Sequence, residues 1–201
     1  MENKEAIQNY LALEMKEINA YAEALDLESV DAAKNLILAA EAAKNRLHVT
    51  GIGKPGHVAG YAASLLSSTG TPTYELHGTE AVHGSAGQVL PGDVVIAISN
   101  SGETQELKAT VTTLRKNGAK IISVTGNPSS WLAKAGDVAL IAGVTAEGDT
   151  LNKPPRASIL AEIIILQALS VSLQYAKGLT LEDYVKWHPG GAIGQSINEG
   201  R

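Results

Sequence analysis

The chain has 201 residues, of which 44% are hydrophobic, and a formal net charge of -5. That length suits one large domain with a substantial core, and Ile-, Val-, Leu- and Ala-rich side chains without a single Phe suit helices packed on a buried parallel sheet. The absence of cysteine excludes disulfides, thiolate metal sites and thiol nucleophiles, and no run of Lys and Arg is present to track a nucleic-acid backbone.

Ile7, Leu11, Ile18, Tyr21 and Leu25 recur at helical spacing and predict a first helix; the Ala-rich stretch 30–45 predicts a second. The opening MENKEAIQNY has no apolar signal core. From residue 47 the pattern becomes strand, turn, helix, repeated. Residues 47–50 read as a short buried strand, 57–68 as a helix and 71–76 as a second strand. DVVIAIS at 93–99 is the clearest strand, followed by a turn at 100–102 and a helix over 104–116. KIISVT at 120–125 is another strand, 130–135 a short helix and 137–141 a final strand. A polar loop over 143–156 contains Pro154 and Pro155, and its length suggests a functional role. An apolar helix over 158–177 follows, greasiest at 163–169, a stretch too short to span a membrane. The chain closes with a tail over 187–196 that carries HPGGAIG.

Strands alternating with helices predict an α/β fold, a three-layer αβα sandwich on a mostly parallel five-stranded sheet. One domain over 1–201 is expected, with N-terminal helices to 45, a sheet core over 46–142, and loop, apolar helix and tail over 143–201. The protein is expected to be soluble and cytoplasmic, with neither membrane nor nucleic acid as partner.

In such a sheet, ligands bind beyond the carboxyl ends of the strands. Two of these ends suit an anion. The first is GIGKPGH at 51–57, where glycines allow close backbone approach and Lys54 adds a charge. Gly51, Gly53 and Gly56 match a dinucleotide-binding spacing, but no ribose-binding acid stands at the next strand end, so NAD is not expected. The second is Ser99-Asn100-Ser101-Gly102-Glu103-Thr104, a hydroxyl-rich turn entering a helix. One hydroxyl would suffice as a helix cap; three suggest a phosphate cradle, and a mononucleotide or sugar phosphate fits better than a triphosphate. No histidine or carboxylate spacing signals a metal, and no cofactor is expected.

Together these pieces resemble the sugar isomerase (SIS) domain family, and within it the arabinose-5-phosphate isomerases. GIGKPGH at 51–57, STGTP at 68–72, GTEAVHG at 78–84, DVVIAISNSGET at 93–104 and HPGGAIG at 188–194 carry the resemblance by their order and spacing. Longer members append a pair of CBS domains; here the chain stops soon after HPGG, and none is expected. The resemblance implies an aldose–ketose isomerase that interconverts D-ribulose 5-phosphate and D-arabinose 5-phosphate, supplying the eight-carbon acid Kdo of lipopolysaccharide or capsule. It implies phosphate contacts from Ser99, Ser101 and Thr104, with Asn100, Gly102 and Gly53 in the same binding loops. It implies catalytic roles for Lys54, Glu106, Glu147 and His188, with His83 on a sugar hydroxyl. It also implies a homo-oligomer, with a tetramer as the expected form.

Enediol chemistry needs a base for a weakly acidic C–H and a donor for the developing oxyanion. His188 or Glu147 suits proton transfer, Lys54 polarisation or positioning, and Glu106 a hydroxyl contact or the orientation of His188. The tail carrying His188 could serve its own subunit or a neighbour. Two departures stand out: Pro55 replaces the usual Ser after the lysine, and Lys153-Pro154-Pro155-Arg156 replaces a Thr/Ser-rich stretch, placing two cations near the site. The alternatives are another SIS isomerase, acting on a heptose or hexulose phosphate, and a silent sugar-phosphate sensor. His48, His57 and His77 read as structural.

Overall fold

The computed structural model describes residues 3–189. Residues 190–194 of the HPGGAIG motif lie outside the described residues. Five strands, β1 (Leu47–Gly51), β2 (Thr73–Glu75), β3 (Val94–Ile98), β4 (Lys120–Thr125) and β5 (Val138–Ile141), form one sheet in the order β2-β1-β3-β4-β5. Every neighbouring pair is parallel. The helices are α1 (Asn3–Glu23), α2 (Leu27–Ala42), α3 (Lys54–Ser68), α4 (Gln105–Lys116), α5 (Trp131–Ala135), α6 (Ala157–Ala176) and α7 (Leu181–Trp187).

β3 shows how the layers are made. Successive side chains of a strand point to opposite faces, and here both faces are apolar. Val94, Ile96 and Ile98 join the core under α2, α3 and α6. Val95 and Ala97 join a second core with Leu107, Val111 and Leu114 of α4 and Leu132 of α5. The result is the expected αβα sandwich.

The boundaries differ in informative places. α3 starts at Lys54, three residues before the expected start, because Pro55 is tolerated in a first helical turn, where its missing N–H has no partner to lose. Thr104 and Ser130 are helix caps rather than first residues of α4 and α5. Two 3₁₀ turns, Glu80–His83 and Ser85–Gln88, fill the stretch between β2 and β3. α7 is an addition to the expected elements, started by the reciprocal capping box of Thr180 and Asp183.

Two apolar readings need correction. In α1 the periodic Ile7 and Leu11 are more than half exposed, Leu25 falls in the turn after the helix, and the buried residues are Glu14 and Tyr21. α6 is 20 residues long with a mean hydropathy of 1.7, long and apolar enough by composition to cross a membrane. The stretch 163–169 understates it, because Ala, Ser and Leu extend the apolar run on both sides. Half of this helix is buried against α1, α2 and α3, the position of a core helix.

At the end of the sheet opposite the carboxyl ends of the strands, Asp93 ties β1 to β3. Its carboxylate accepts from the N–H of Arg46 and of Leu90, both at 2.9 Å, and lies 3.2 Å from Nε2 of His48. Burial disfavours its charge, but these donors outweigh burial and hold the carboxyl below its usual range. His48 is itself buried and held towards its neutral form chiefly by desolvation. Asp93→Ala should therefore lower stability by about 1–3 kcal/mol, because buried His48 and two part-buried N–H groups lose their acceptor. Urea unfolding measures it, and a change under about 1 kcal/mol would contradict the account.

Candidate active site

The sheet order brings β1 and β3 side by side, while their connections leave in opposite directions, to β2 and to β4. A crevice opens at such a switch point, outside the carboxyl ends of the two strands. Gly51 pairs with Ile98 at the very ends of these strands, so GIGKPGH and SNSGET leave the sheet next to each other.

On the first side, β1 runs directly under the first turn of α3. A Cβ on Gly51 would stand 2.7 Å from the carbonyl carbon and oxygen of Pro55, closer than atoms approach, so only glycine fits. Gly53 takes φ +67 and caps α3 without a side-chain bond. Lys54 is exposed at the first helical position and borders a hollow of about 410 Å³ with Tyr61, Pro155, Ile159 and Ile163. His57 links this hollow to a second cleft of about 190 Å³, lined by Gly51, Ile52, Glu75, His77 and Thr79.

On the second side, the SNSGET turn is held from several directions. Ser99 is buried, its hydroxyl 3.1 Å from that of Thr104 and accepting from the Gly102 N–H at 3.2 Å. The Ser101 hydroxyl accepts from the Glu103 N–H at 3.2 Å. The Asn100 carbonyl accepts from the N–H of Gly126 and the hydroxyl of Thr125, fastening the turn to the end of β4. Gly102, at φ +65, lies so close to Ser130 that a Cβ there would collide with its hydroxyl. Thr104 occupies the cap position of α4 but makes no side-chain cap bond. By contrast, Asp26, Ser130 and Thr180 cap α2, α5 and α7. The first amides of α4 are therefore uncapped by a side chain, and such a helix end favours an anion. Glu106 is exposed in that first turn.

Glu147 is placed differently from a free loop carboxylate. Its Oε2 accepts from the N–H of Arg156 at 2.6 Å and of Ser158 at 3.2 Å, so it caps α6 from a distance. Its own N–H donates to Asn152 at 2.6 Å, closing the loop. The two expected cations do not act as a pair. Arg156 is bound to Asp149 at 2.6 Å, which offsets its charge, and lies over the Tyr10 ring of α1; Lys153 is exposed. His83 is exposed at the end of its 3₁₀ turn, while His77 precedes that turn, accepting from the Glu80 N–H at 3.4 Å and lying 3.1 Å from the Thr79 hydroxyl.

His188 does not meet the others in one subunit. It follows α7, its Nδ1 2.8 Å from the Tyr184 carbonyl oxygen and its ring stacked on Tyr184 at 3.9 Å. The neighbouring Trp187 packs against Gly70, at the C-terminal end of α3. Lys54 is at the other end of that helix, about 21 Å away for its 15 residues. Lys54, the SNSGET turn and the Glu147 loop thus share one end of the sheet, and His188 stands at the other. Glu162, fully buried in α6, is a further acid that the sequence does not announce, because a single acid in an apolar run gives no motif.

Residues 42–172 match the SIS domain. The chain belongs to the SIS domain family. It is 44% identical over 156 residues to arabinose 5-phosphate isomerase KdsD of Pseudomonas aeruginosa, covering 78% of this chain and 48% of that protein. KdsD of Escherichia coli K12 is 43% identical over 154 residues, 77% of this chain and 47% of the relative. The chain thus spans about half the length of these curated relatives. A solved E. coli CFT073 protein in complex with arabinose 5-phosphate superposes with a TM-score of 0.83 at 34% identity, covering 94% of this chain and 100% of the other.

Gly102→Ala tests how far the turn is constrained. A left-handed φ and a collision with Ser130 should together cost about 1–3 kcal/mol, read as a lower urea midpoint. An unchanged midpoint would mean that the turn relaxes freely.

Proposed function

We propose that this SIS domain interconverts D-ribulose 5-phosphate and D-arabinose 5-phosphate through an enediol. The observation that carries the reading is the end of α4: at the switch point, beside Lys54, its amides lack the side-chain cap that α2, α5 and α7 have. The 34% identical neighbour in complex with arabinose 5-phosphate supports the choice of sugar phosphate.

In this reading the phosphoryl group sits on the first turn of α4, with Ser101 and Thr104 as hydroxyl donors. Ser99 acts through Thr104, whose hydroxyl it orients, and Asn100 and Gly102 keep the turn in shape. Gly53 leaves the backbone open to the sugar, and Lys54 polarises the carbonyl oxygen on which negative charge develops. Glu147 is the base: the N–H groups of Arg156 and Ser158 hold its carboxyl in place, and it lies on the loop that faces the Lys54 hollow through Pro155. Glu106 and His83 take sugar hydroxyls.

His188 enters from a second copy of the chain. The length of α3 separates it from Lys54 in its own subunit, so a complete set requires an assembly in which one subunit's α7 end meets another's crevice. The proposed oligomer is accordingly part of the site, with a tetramer as the expected form. A cytoplasmic location and a role in Kdo supply for lipopolysaccharide or capsule belong to the same proposal.

Incubated with a panel of pentose, hexose and heptose phosphates, the protein should equilibrate ribulose 5-phosphate with arabinose 5-phosphate; conversion of a heptose phosphate instead would replace this substrate. Glu147→Gln should lower kcat by about 10²–10⁴-fold with the fold retained, the range for a lost general base, and kcat within a factor of roughly three of the original would remove Glu147 from that role. Lys54→Ala and His188→Ala, each inactive alone, should regain part of the turnover when unfolded together and co-refolded. A mixture no more active than its parts would sink the shared site.

A further inference from the structure

Glu162 is a buried acid that the proposed chemistry does not use. It lies in the second turn of α6, fully inaccessible, and neither carboxyl oxygen has a hydrogen-bond partner. One helical turn earlier, on the same face, the Ser158 hydroxyl is equally buried and equally unpartnered. The N–H of that same Ser158 donates to Glu147. A fully buried carboxylate without a donor is too costly to persist, so the site must hold a cation or a proton. Among the described residues no third histidine or carboxylate completes a metal-binding group.

The charges around it argue the same way. The loop contributes Glu147, whose negative charge disfavours a second one nearby, while Arg156 is occupied by Asp149. α1 contributes Glu14, buried and pushed towards its neutral form by burial first and by Glu147 also, with Tyr10 and Glu17 on the same helix. α3 turns Lys54, His57 and Tyr61 to the flank of α6 that carries Ile159 and Ile163. The buried residues of α2 are Val30, Ala33 and Ile37; its Lys34 pairs with Asp31, and its Glu41 with Lys177 at the far end of α6. Among the described residues no cation offsets Glu162. Burial, with Glu147 as the smaller cause, raises its carboxyl to about 8.

We propose that Glu162 is a positioning residue: it stands as a neutral carboxylic acid behind Glu147, so that no second negative charge disturbs the bonds by which Glu147 holds the start of α6. The asymmetry comes from the two environments. Glu147 accepts from two backbone N–H groups at the start of α6, whereas Glu162 has an apolar helix and a lone hydroxyl around it and no donor to offset a charge. Ionising Glu162 would set two like charges against each other and loosen the cap that Glu147 makes. The part of this inference that concerns turnover rests on the isomerase reading; the protonation state does not.

Infrared difference spectra of the whole chain should show a neutral carboxyl C=O band at pH 7 that disappears as pH passes about 8 and is missing in Glu162→Gln. Thermal stability gives a second reading. A folded-state value above the unfolded one means that the folded chain holds the extra proton between about 4.5 and 8, so stability from this group falls as pH rises through that window. The melting temperature of Glu162→Gln minus that of the unaltered chain should therefore grow from pH 5 to pH 8. If turnover is measured, kcat/KM of the unaltered chain should fall about tenfold at one pH unit above the Glu162 transition, and the loss should shift or vanish in Glu162→Gln. Should Glu162→Gln not fold, Glu162→Met replaces it, and the spectrum of the unaltered chain needs no variant. No neutral carboxyl band at pH 7, or a melting difference flat with pH, overturns the proposal. A band and a rising difference in a chain that isomerises nothing would leave it standing while removing the isomerase reading.

Discussion

The site depends on one backbone constraint, the level ending of two parallel strands. Gly51 and Ile98 are paired at the last rung of β1 and β3, and the chain leaves them in opposite directions. Both turns are then held within a few ångströms of their neighbours: Pro55 leaves no room over Gly51, and Ser130 leaves none over Gly102. Placing a lysine at one helix start and an uncapped helix start beside it follows from that register. A one-residue slip of β3 against β1 would turn the Val94, Ile96 and Ile98 face away from its core and separate the two turns in the same movement.

Much of this is legible in the order of residues. The β-branched runs at 93–99 and 120–125 mark buried strands within a residue of where they lie. GIGKPGH and SNSGET mark the strand ends, because glycine and hydroxyl residues are demanded there by close approach and by the helix end. What the pattern hides has a physical reason in each case. Lys54 and Pro55 read as loop because proline usually stops helices, yet a first turn accepts it. The apolar spacing in α1 points Ile7 and Leu11 inward, while the packing buries Glu14 instead. Periodicity reports which residues share a helix face, and cannot say which face the rest of the fold covers.

The candidate site is legible only in part, for a related reason. Lys54, Ser99, Ser101, Gly102 and Thr104 lie close to the strand that positions them, so their place follows from local structure. Glu147 and Arg156 depend on how the loop over 143–156 closes on itself, through Asn152, Asp149 and the end of α6. His188 depends on where α7 docks. The Trp187 contact with Gly70 is a long-range packing choice that no spacing in the tail announces. Glu162 gives no signal because a lone acid in an apolar helix has the appearance of a solvated position until burial is known.

The bare start of α4 has a consequence for the life of the chain. Under the proposed reading, a phosphorylated compound would cap these amides in the folded state, and the unfolded chain would offer it nothing comparable. Occupancy would then shift the folding balance itself, by about 2.7 kcal/mol for a ligand a hundredfold above its dissociation constant. Metabolite abundance, and not the amino-acid sequence alone, would help to determine how long each copy withstands proteolysis.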